Sequence, residues 1–381
     1  MNDTPKTAND LIEYLRLHQD EMLSDLEQFV KKDSPSQDKA LVDECGLYLR
    51  ELFAKHLGVE AEVFEQTEVG NHLKFTLGQG SEQILIVGHF DTVWDKGRLQ
   101  YRVEGNKAYG PGILDMKGGI IQSLWALKAI KELGLPLNKK VVFLCNSDEE
   151  IGSVHSRKLI EEEAVKSACV LVAEPGEAHT GALKTSRKGV GIFDLKVYGR
   201  SAHAGNHHED GINALEELAR QIITLQELTH YEKGTTVNVG FAKGGSKRNV
   251  VPDYAEAQID VRISSLEEAE RVSQTILQLR PQGKGARIEV TGEINRPPMV
   301  RTQKTAALFE IASAAAREFG LSLQEASVGG GSDGNFSAAL GIPTLDGLGA
   351  LGEGLHAEHE HILIDSLSVR AALVANLLVK L

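Results

Sequence analysis

The spacing of apolar residues predicts the first elements of the chain. Near the N-terminus apolar residues recur at mostly three- and four-residue intervals: Leu11, Leu15, Met22, Leu26 and Phe29. This spacing predicts an amphipathic helix over residues 9–31, capped by Asn9 or Asp10, and a second helix over 38–57. Short continuous apolar runs follow, which are typical of strands buried in a parallel sheet. These runs lie at 84–90, 141–147 and 169–175. A helix over 117–133 is predicted between the first two, so the order indicates α/β layering.

The pattern changes near residue 185. Apolar and polar residues alternate over 189–199 and 255–263, as in half-exposed antiparallel strands. Helices are predicted at 211–229 and 265–279, and a further strand at 286–294. The order β-α-β-β-α-β suits a ferredoxin-like sheet with two helices on one face. After Pro297-Pro298 the α/β pattern resumes, with helices at 303–319, 334–340 and 365–380 and a strand near 322–328.

These patterns predict two domains, which agrees with a length of 381 residues. The fold class is α/β: a catalytic domain with a mixed sheet flanked by helices, interrupted by an inserted ferredoxin-like α+β domain. The expected boundaries are 1–185 and 296–381 for the two parts of the catalytic domain, and 186–295 for the insert.

Charge and composition exclude several classes of function. The formal net charge is −13, from 41 Lys and Arg against 54 Asp and Glu, so nucleic acid and anionic lipid are not expected partners. No apolar run reaches the roughly 18 residues that a membrane helix needs. The N-terminus lacks a cationic start and an apolar segment, and three scattered cysteines form no disulfide framework. A cytoplasmic location is therefore expected.

Five segments place histidines or carboxylates at strand ends or in a Gly-rich turn. They contain His89 and Asp91, Asp115, Asp148-Glu149-Glu150, Glu174, and the histidines from His356 to His361. Each segment alone is also compatible with a cap, a solvated loop or a satisfied histidine. Asp91 is placed to accept the second N–H of a ligating His89, since residues i and i+2 of a strand face the same side. Together the segments supply the mixed nitrogen and oxygen ligands and the spare carboxylate of a two-metal hydrolase.

In this order and spacing, the motifs resemble the zinc aminoacylase/carboxypeptidase peptidases. That family includes glutamate carboxypeptidase, acetylornithine deacetylase and succinyl-diaminopimelate desuccinylase. The motifs are GHFDTVWDKG (88–97), GPGILDMKGG (110–119), NSDEEIGS (146–153), AEPG (173–176), GRSAHAG (199–205), GGGSDGNF (329–336) and GLHAEHEHI (354–362). The resemblance runs from about residue 10 to the end, and the bacterial glutamate carboxypeptidase branch is the most similar.

The resemblance implies a role for each metal-site residue. His89 and Glu174 would hold one zinc, Glu150 and His356 the other, and Asp115 would bridge both. Glu149 would be the general base that activates a zinc-bridging water, and Asp91 would orient His89. The family also has a cis peptide bond at the position of Asp115-Met116. The native metal is open between Zn²⁺, Co²⁺ and Mn²⁺.

The resemblance also implies residues that act from the inserted domain. His203 would reach the active site of a neighbouring subunit and stabilise the oxyanion, so a homodimer formed through the inserted domain is expected. Asn249 and Arg296 match family positions that grip the substrate carboxylate, and Arg262 is a weaker match. The substrate would be an N-acyl amino acid or a short peptide.

Alternatives remain open from the sequence. Within the same family, the reaction would be that of a glutamate carboxypeptidase-like exopeptidase or of an N-acyl-amino-acid deacylase. His359 would compete with His356, the preferred ligand, and His359 or His361 would perturb the metal site. Asn206-His207-His208 also departs from the family pattern. Outside the family, Ser332 lies in a Gly-x-Ser-x-Gly sequence followed by Asp346 and His356, the order of a serine hydrolase. A dinucleotide fingerprint at 329–334 has too little chain after it, and a non-catalytic metal-binding protein would not need Glu149.

Overall fold

The computed structural model describes residues 7–381 as α-helices, β-strands and short turns. The helices are α1 (Ala8–Leu17), α2 (Gln19–Val30), α3 (Lys39–Leu57), α4 (Gly118–Glu132), α5 (Arg157–Ala164), α6 (Ala214–Gln226), α7 (Leu266–Leu277), α8 (Gln303–Arg317), α9 (Gly334–Ala339) and α10 (Ser366–Lys380). The strands are β1 (Glu62–Phe64), β2 (His72–Leu77), β3 (Gln83–His89), β4 (Arg102–Glu104), β5 (Lys107–Tyr109), β6 (Lys140–Asn146), β7 (Ser167–Val172), β8 (Leu183–Arg187), β9 (Gly189–Tyr198), β10 (Thr236–Gly244), β11 (Tyr254–Ile263), β12 (Arg287–Arg296), β13 (Glu325–Val328), β14 (Thr344–Leu345), β15 (Gly352–Glu353) and β16 (His361–Leu363).

These elements form two compact units. Among the described residues, the first contains 7–186 together with Arg301–Ser327 and Ser332–Leu381. The second contains Arg187–Val300 and Val328–Gly331.

The first unit is built on a six-stranded mixed sheet in the order β1-β2-β6-β3-β7-β14. Strand β3 is parallel to both β6 and β7, whereas β2 is antiparallel to β6. Both faces are covered: Ile84 and Ile86 of β3 contact a core built with α1–α4, α8 and α10, and Leu85 and Val87 face α5 and α9. Burial on both faces explains the continuous apolar runs, and it confirms the α/β class.

This sheet brings the carboxyl ends of three strands to one edge. His89 ends β3 and pairs with Asn146, which ends β6. Strand β7 ends at Val172, two residues before Glu174. Helix α4 packs against this edge so closely that a Cβ on Gly119 would lie 1.8 Å from the Ala173 carbonyl oxygen. Ligand sites of parallel sheets form at such an edge.

The second unit is an antiparallel four-stranded sheet in the order β10-β11-β9-β12, with α6 and α7 packed on one face. The chain order β9-α6-β10-β11-α7-β12 is the one predicted. Inward-facing residues of β9 and β11 are buried, and alternate residues between them are exposed or half-buried. A separate apolar core lies between this sheet and its two helices.

The predicted first helix is wrong in its length and cap. The chain forms two helices, because α1 ends at His18, whose Nδ1 lies 2.8 Å from the Tyr14 carbonyl oxygen. The N-cap of α1 is Thr7, which accepts the N–H of Asp10, and the Asp10 carboxylate accepts the N–H of Thr7 in return. Asp10 therefore completes a capping box instead of occupying the cap.

Two expectations from composition can be compared with the described residues. Cys45, Cys145 and Cys169 are all buried free thiols, so no disulfide forms. Among residues 7–381, no helix is both long enough and apolar enough to cross a membrane.

Candidate metal centre

Asp115 lies in a tight turn between β5 and α4 that other buried groups hold in place. Glu360, 1% exposed, accepts the backbone N–H groups of Leu114 at 2.9 Å and of Asp115 at 3.2 Å. Its other oxygen accepts the indole N–H of Trp94 at 2.7 Å. The buried Lys117 amine donates to the Lys32 carbonyl at 2.7 Å. The peptide bond between Asp115 and Met116 is cis, as the family resemblance implies.

The two carboxylate oxygens of Asp115 face different histidines. His89 Nε2 lies 3.2 Å from Asp115 Oδ1, and His356 Nε2 lies 3.2 Å from Asp115 Oδ2. On the first side, Glu174 Oε1 lies 3.7 Å from His89 Nε2. On the second side, Glu150 Oε2 lies 3.2 Å from His356 Nε2. The five predicted ligands thus form two groups that share Asp115.

The chemistry of these donors fits a pair of divalent ions. Each group offers one imidazole nitrogen and two carboxylate oxygens, and the potential ligand atoms within a group all lie within 4.8 Å of one another. A shared carboxylate with one oxygen on each side is what a bridging ligand requires. Mixed nitrogen and oxygen donors suit Zn²⁺ and neighbouring first-row metals.

The electrostatics of the metal-free protein follow from this crowding of carboxylates. Burial lowers the pKa of His89, but Asp115, Asp91 and Glu174, with the charge of Glu149, outweigh burial and hold that pKa well above 6.5. Hydrogen bonds to Asp115 and Glu150 raise the pKa of His356 to about 11. Without a cation, two protonated imidazoles therefore offset part of the negative charge of the carboxylates.

Asp115 and Glu150, the two carboxylates of the second ligand group, have pKa values shifted in opposite directions. Burial favours a higher pKa for Asp115, but its hydrogen bonds with His356 and His89 hold that pKa well below its usual value. Burial is the largest cause that raises the pKa of Glu150 to about 7, and the Asp115 charge adds to the effect. Of these two carboxylates, Asp115 is therefore the one that stays ionised at any pH near neutrality.

Asp91 links His89 to the turn that carries Glu149 and Glu150. It is fully buried, and its Oδ1 lies 3.4 Å from His89 Nδ1. Its two oxygens also accept the backbone N–H groups of Glu149 and Glu150, each at 3.2 Å. Ser36 Oγ donates to the same carboxylate at 2.7 Å. Asp91 thus contacts both His89 and the Glu149–Ile151 turn.

Sequence reasoning missed the residues that fix the other side of this turn. Asp333 accepts the Asn146 amide at 2.7 Å and the Ser153 hydroxyl at 2.5 Å, so one buried carboxylate joins both ends of the segment. Asp148 accepts the backbone N–H groups of His155 and Ser156. The buried His72 ring lies 3.0 Å from Ser147 Oγ. The motifs NSDEEIGS and GGGSDGNF contain Asp148 and Asp333, but neither motif indicates that these carboxylates hold the turn in place.

The three histidines of the GLHAEHEHI segment lie in different surroundings. His356 has the left-handed backbone angle φ 57° and belongs to the second ligand group. His361 is buried in β16 against Tyr109, with ring centroids 5.1 Å apart. Within the described residues, neither His359 nor His361 belongs to a potential metal group.

The serine hydrolase alternative does not fit this geometry. Ser332 is buried and its hydroxyl donates to Asp346 at 2.6 Å. His356, the required base, instead faces Asp115 and Glu150. A serine nucleophile needs a histidine within hydrogen-bond reach, so this reading is rejected.

The remaining predicted residues lie in the second unit. The exposed His203 accepts the backbone N–H groups of Gly205 and Asn206 on Nδ1, each at 3.1 Å. The Asn249 carbonyl accepts the N–H of Ala204, which joins the Asn249 loop to the His203 loop.

The two arginines of this unit differ in their surroundings. Arg296 is buried at the end of β12 and donates to the Asn295 side chain at 2.8 Å. Arg262 is paired through two nitrogens with Asp260, at 2.9 Å each. The Asp260 carboxylate already accepts hydrogen bonds from two nitrogens of the Arg262 guanidinium. Arg262 is therefore the weakest of the residues predicted to bind the substrate carboxylate.

Comparison with known sequences shows the family of this chain. The family model described as Peptidase family M20/M25/M40 matches residues 85–380. Carboxypeptidase G2 from Pseudomonas sp. (strain RS-16) is 32% identical over 386 residues, which cover 99% of this chain and 93% of that protein. Succinyl-diaminopimelate desuccinylase from Thioalkalivibrio sulfidiphilus is 27% identical over 348 residues, covering 85% of this chain and 90% of the relative.

Solved structures share the fold. The crystal structure of an M20 family metallo-carboxypeptidase from Sulfolobus solfataricus superimposes with a TM-score of 0.79 at 22% identity, covering 94% of this chain and 98% of that chain. The sequence matches extend over both units described above, and they agree with the resemblance carried by the motifs. The chain is therefore a hydrolase that belongs to peptidase family M20/M25/M40.

Proposed function

We propose that this protein is a two-metal hydrolase that cleaves the amide bond of a peptidyl or N-acyl amino acid with a free carboxylate. The observation that carries the proposal is the position of Asp115, whose two oxygens each face one imidazole and one further carboxylate. Glutamate is the proposed leaving residue, in keeping with the similarity to carboxypeptidase G2.

The ligand assignment follows the two groups. His89 and Glu174 would hold one ion, Glu150 and His356 the other, and Asp115 would bridge them. Zn²⁺ is the proposed metal, with Co²⁺ and Mn²⁺ as alternatives for the same donors. When bound, such a pair supplies Lewis acidity, which polarises a carbonyl and makes water a stronger acid.

Glu149 is the proposed general base. It would take the proton of the attacking water and deliver it to the leaving amine, a role that needs a carboxylate close to the ligands but not itself a ligand. The charge of Glu149 contributes to the raised pKa of His89. The backbone N–H of Glu149 donates to the Asp91 carboxylate. Asp91 would orient His89 through the contact to Nδ1.

His203 is the proposed donor to the oxyanion. Because its Nδ1 accepts two backbone N–H groups, the neutral ring carries its proton on Nε2 and presents it as a donor. By the family resemblance it would act in the site of a partner subunit, in a homodimer formed through the inserted domain, proposed as residues 186–295. The division of the chain at Arg187 and Val300 supports these boundaries.

Asn249 and Arg296 are the proposed contacts to the substrate carboxylate, with Arg262 as a weaker third. An arginine fork suits a carboxylate because it donates two parallel hydrogen bonds. An N-acyl-amino-acid deacylase is the second candidate, favoured by the similarity to a desuccinylase.

The experiment is a panel of dipeptides and N-acyl amino acids assayed with metal-free protein and with protein loaded with zinc, cobalt or manganese. The proposal predicts turnover only after metal loading, and faster turnover for substrates with a C-terminal glutamate. Faster turnover of N-acetyl or N-succinyl amino acids would favour the deacylase. Turnover by the metal-free protein that chelator does not abolish would contradict both candidates.

A further inference from the structure

An open cavity of about 540 Å³ lies in the second unit between the His203 loop and the loop before Asn249. Lys247, Arg248 and His208 line it, and the other nine lining residues are uncharged. Aspartate and glutamate account for 54 of the 381 residues, yet none of the twelve lining residues is acidic. In a chain with a net charge of −13, such a cavity is a local exception.

The two cations on its rim are not neutralised by the protein. Lys247 and Arg248 are exposed, and neither forms an ion pair with a carboxylate among residues 7–381. Their neighbour Lys243, on β10, instead pairs with Glu256 at 2.8 Å. Two adjacent uncompensated cations create a positive potential that attracts anions.

A helix terminus also lies at the cavity wall. Helix α6, of 13 residues, begins at the cavity: its N-cap Asn213 and the first-turn residue Leu215 both line the wall. The N-terminus of a helix carries a partial positive charge and favours anions. Glu216 and Glu217 lie in the first turn of α6, outside the cavity lining, and offset this partial charge, so the positive potential of the cavity comes from Lys247 and Arg248.

The cavity adjoins two residues already assigned to substrate. Arg248 precedes Asn249, and the Val250 N–H donates to the Lys247 carbonyl at 3.2 Å, which folds residues 247–250 into one turn. Ala204, which follows His203, also lines the cavity. A carboxylate bound here would therefore lie at the same turn as Asn249, the residue assigned to the substrate's α-carboxylate.

We infer that Lys247 and Arg248 form a second anion subsite, which selects substrates carrying a second carboxylate. This inference rests on the proposed function, because it assigns Asn249 to the first carboxylate. The second carboxylate is the side chain of an acidic leaving residue or a carboxylate on the acyl group. Either would make the protein prefer dicarboxylate substrates to monocarboxylate ones.

The test compares wild type with Lys247→Ala/Arg248→Ala on two substrate pairs, using zinc-loaded protein. Comparing N-benzoyl-glutamate with N-benzoyl-glutamine tests whether the second carboxylate belongs to the leaving residue. Comparing N-(4-carboxybenzoyl)-alanine with N-benzoyl-alanine tests whether it belongs to the acyl group. We expect the double variant to lower kcat/KM roughly 3- to 10-fold for the dicarboxylate member of one pair, with its partner unchanged. The loss should shrink at high salt, because exposed charges are screened.

The matched control is Lys243→Ala/Lys284→Ala, which removes two exposed positive charges of the same unit from outside the cavity lining. It should leave both ratios unchanged. Equal losses on both members of each pair, or no loss on any substrate, would overturn the subsite.

Equilibrium binding separates this inference from the proposed function. If zinc-loaded wild type cleaves none of the four substrates, the proposed function fails. The affinities for glutarate and butyrate then still test whether the anion subsite exists. The subsite predicts that wild type binds glutarate more tightly than butyrate and that Lys247→Ala/Arg248→Ala loses the difference. The same preference in both proteins would overturn it.

Discussion

The carboxylate of Asp333 accepts a 2.7 Å hydrogen bond from the side-chain amide of Asn146. It also accepts the hydroxyl of Ser153, seven residues further along, so the segment carrying Glu149 and Glu150 is closed by one buried group. Ser153 needs such support, because its φ of 55° is uncommon for a residue with a side chain.

The Asp333→Ala variant removes this closure and leaves two buried donors without their acceptor. Each such group costs about 1–3 kcal/mol. We therefore expect the free energy of unfolding in urea to fall by about 2–6 kcal/mol and kcat to fall with it. Ser153→Ala, which removes one of the two hydrogen bonds, should have a smaller effect on both. A Ser153→Ala loss as large as that of Asp333→Ala would show that Asp333 does not act through both ends.

Metal stoichiometry should depend on which ligand is removed. Asp115→Ala takes one ligand from each group and is expected to lose both ions, whereas His89→Ala and His356→Ala should each lose one. Metal content after dialysis, measured by atomic emission, reads this directly. His359→Ala, on the same loop but outside both groups, is the control and should retain the wild-type content. Two ions retained by Asp115→Ala would rule out a bridging role.

Metal affinity should rise with pH. In the metal-free protein the pKa of His356 is raised to about 11 and that of His89 is well above 6.5, so both rings are protonated at pH 7. A metal needs the neutral ring, so binding must displace these protons, and a higher pH removes the competing protonated form. Titration calorimetry in buffers of different ionisation enthalpy should detect proton release at pH 7. Binding without proton release would contradict the assigned pKa directions.

Acid should destabilise the second unit through Glu268. This buried carboxylate contacts Arg271 and Thr235, and hydrogen bonds, led by that from Arg271, lower its pKa to about 2. A lowered pKa stabilises the fold above the unfolded-state value of about 4.3, and this contribution is lost as the pH falls from there towards 2. Glu268→Gln should therefore lower the melting temperature at pH 7 much more than at pH 3.

Glu267→Gln is the matched control for this change, since Glu267 is the preceding residue of α7 and is exposed. It should leave the melting temperature nearly unchanged at both values of pH. If Glu268→Gln lowers the melting temperature equally at pH 7 and pH 3, the Glu268 charge does not carry the effect.

Sequence patterns located best the elements whose apolar pattern has one cause, the burial of one or both of their faces. Strands β3, β6 and β7 are buried on both faces and read as continuous apolar runs, and β9 and β11 alternate because one face meets α6 and α7. The edge strands β1 and β4 are three residues long and largely exposed, so no periodicity marks them. The break at His18 was invisible because the apolar stripe continues across it into α2.

The site residues also fall into those whose positions the sequence pattern predicts and those whose positions it does not. The ends of parallel strands meet at one edge, so the proximity of His89 and Glu174 could be anticipated from the strands alone. The position of His356 could not, because it depends on a loop from the far end of the chain. Glu360 and Asp333 act through backbone and side-chain amides, and a carboxylate in that role looks no different in sequence from a solvated one.

The Glu149→Ala variant tests the central claim most directly, with turnover and metal content measured on the same zinc-loaded preparation. Glu149 is proposed to move the proton without binding metal, so we predict that the variant retains the wild-type zinc content and loses turnover by about 10²-fold or more. Glu150→Ala is the comparison and should lose metal as well as activity. Substantial turnover by Glu149→Ala with its zinc in place would contradict the account.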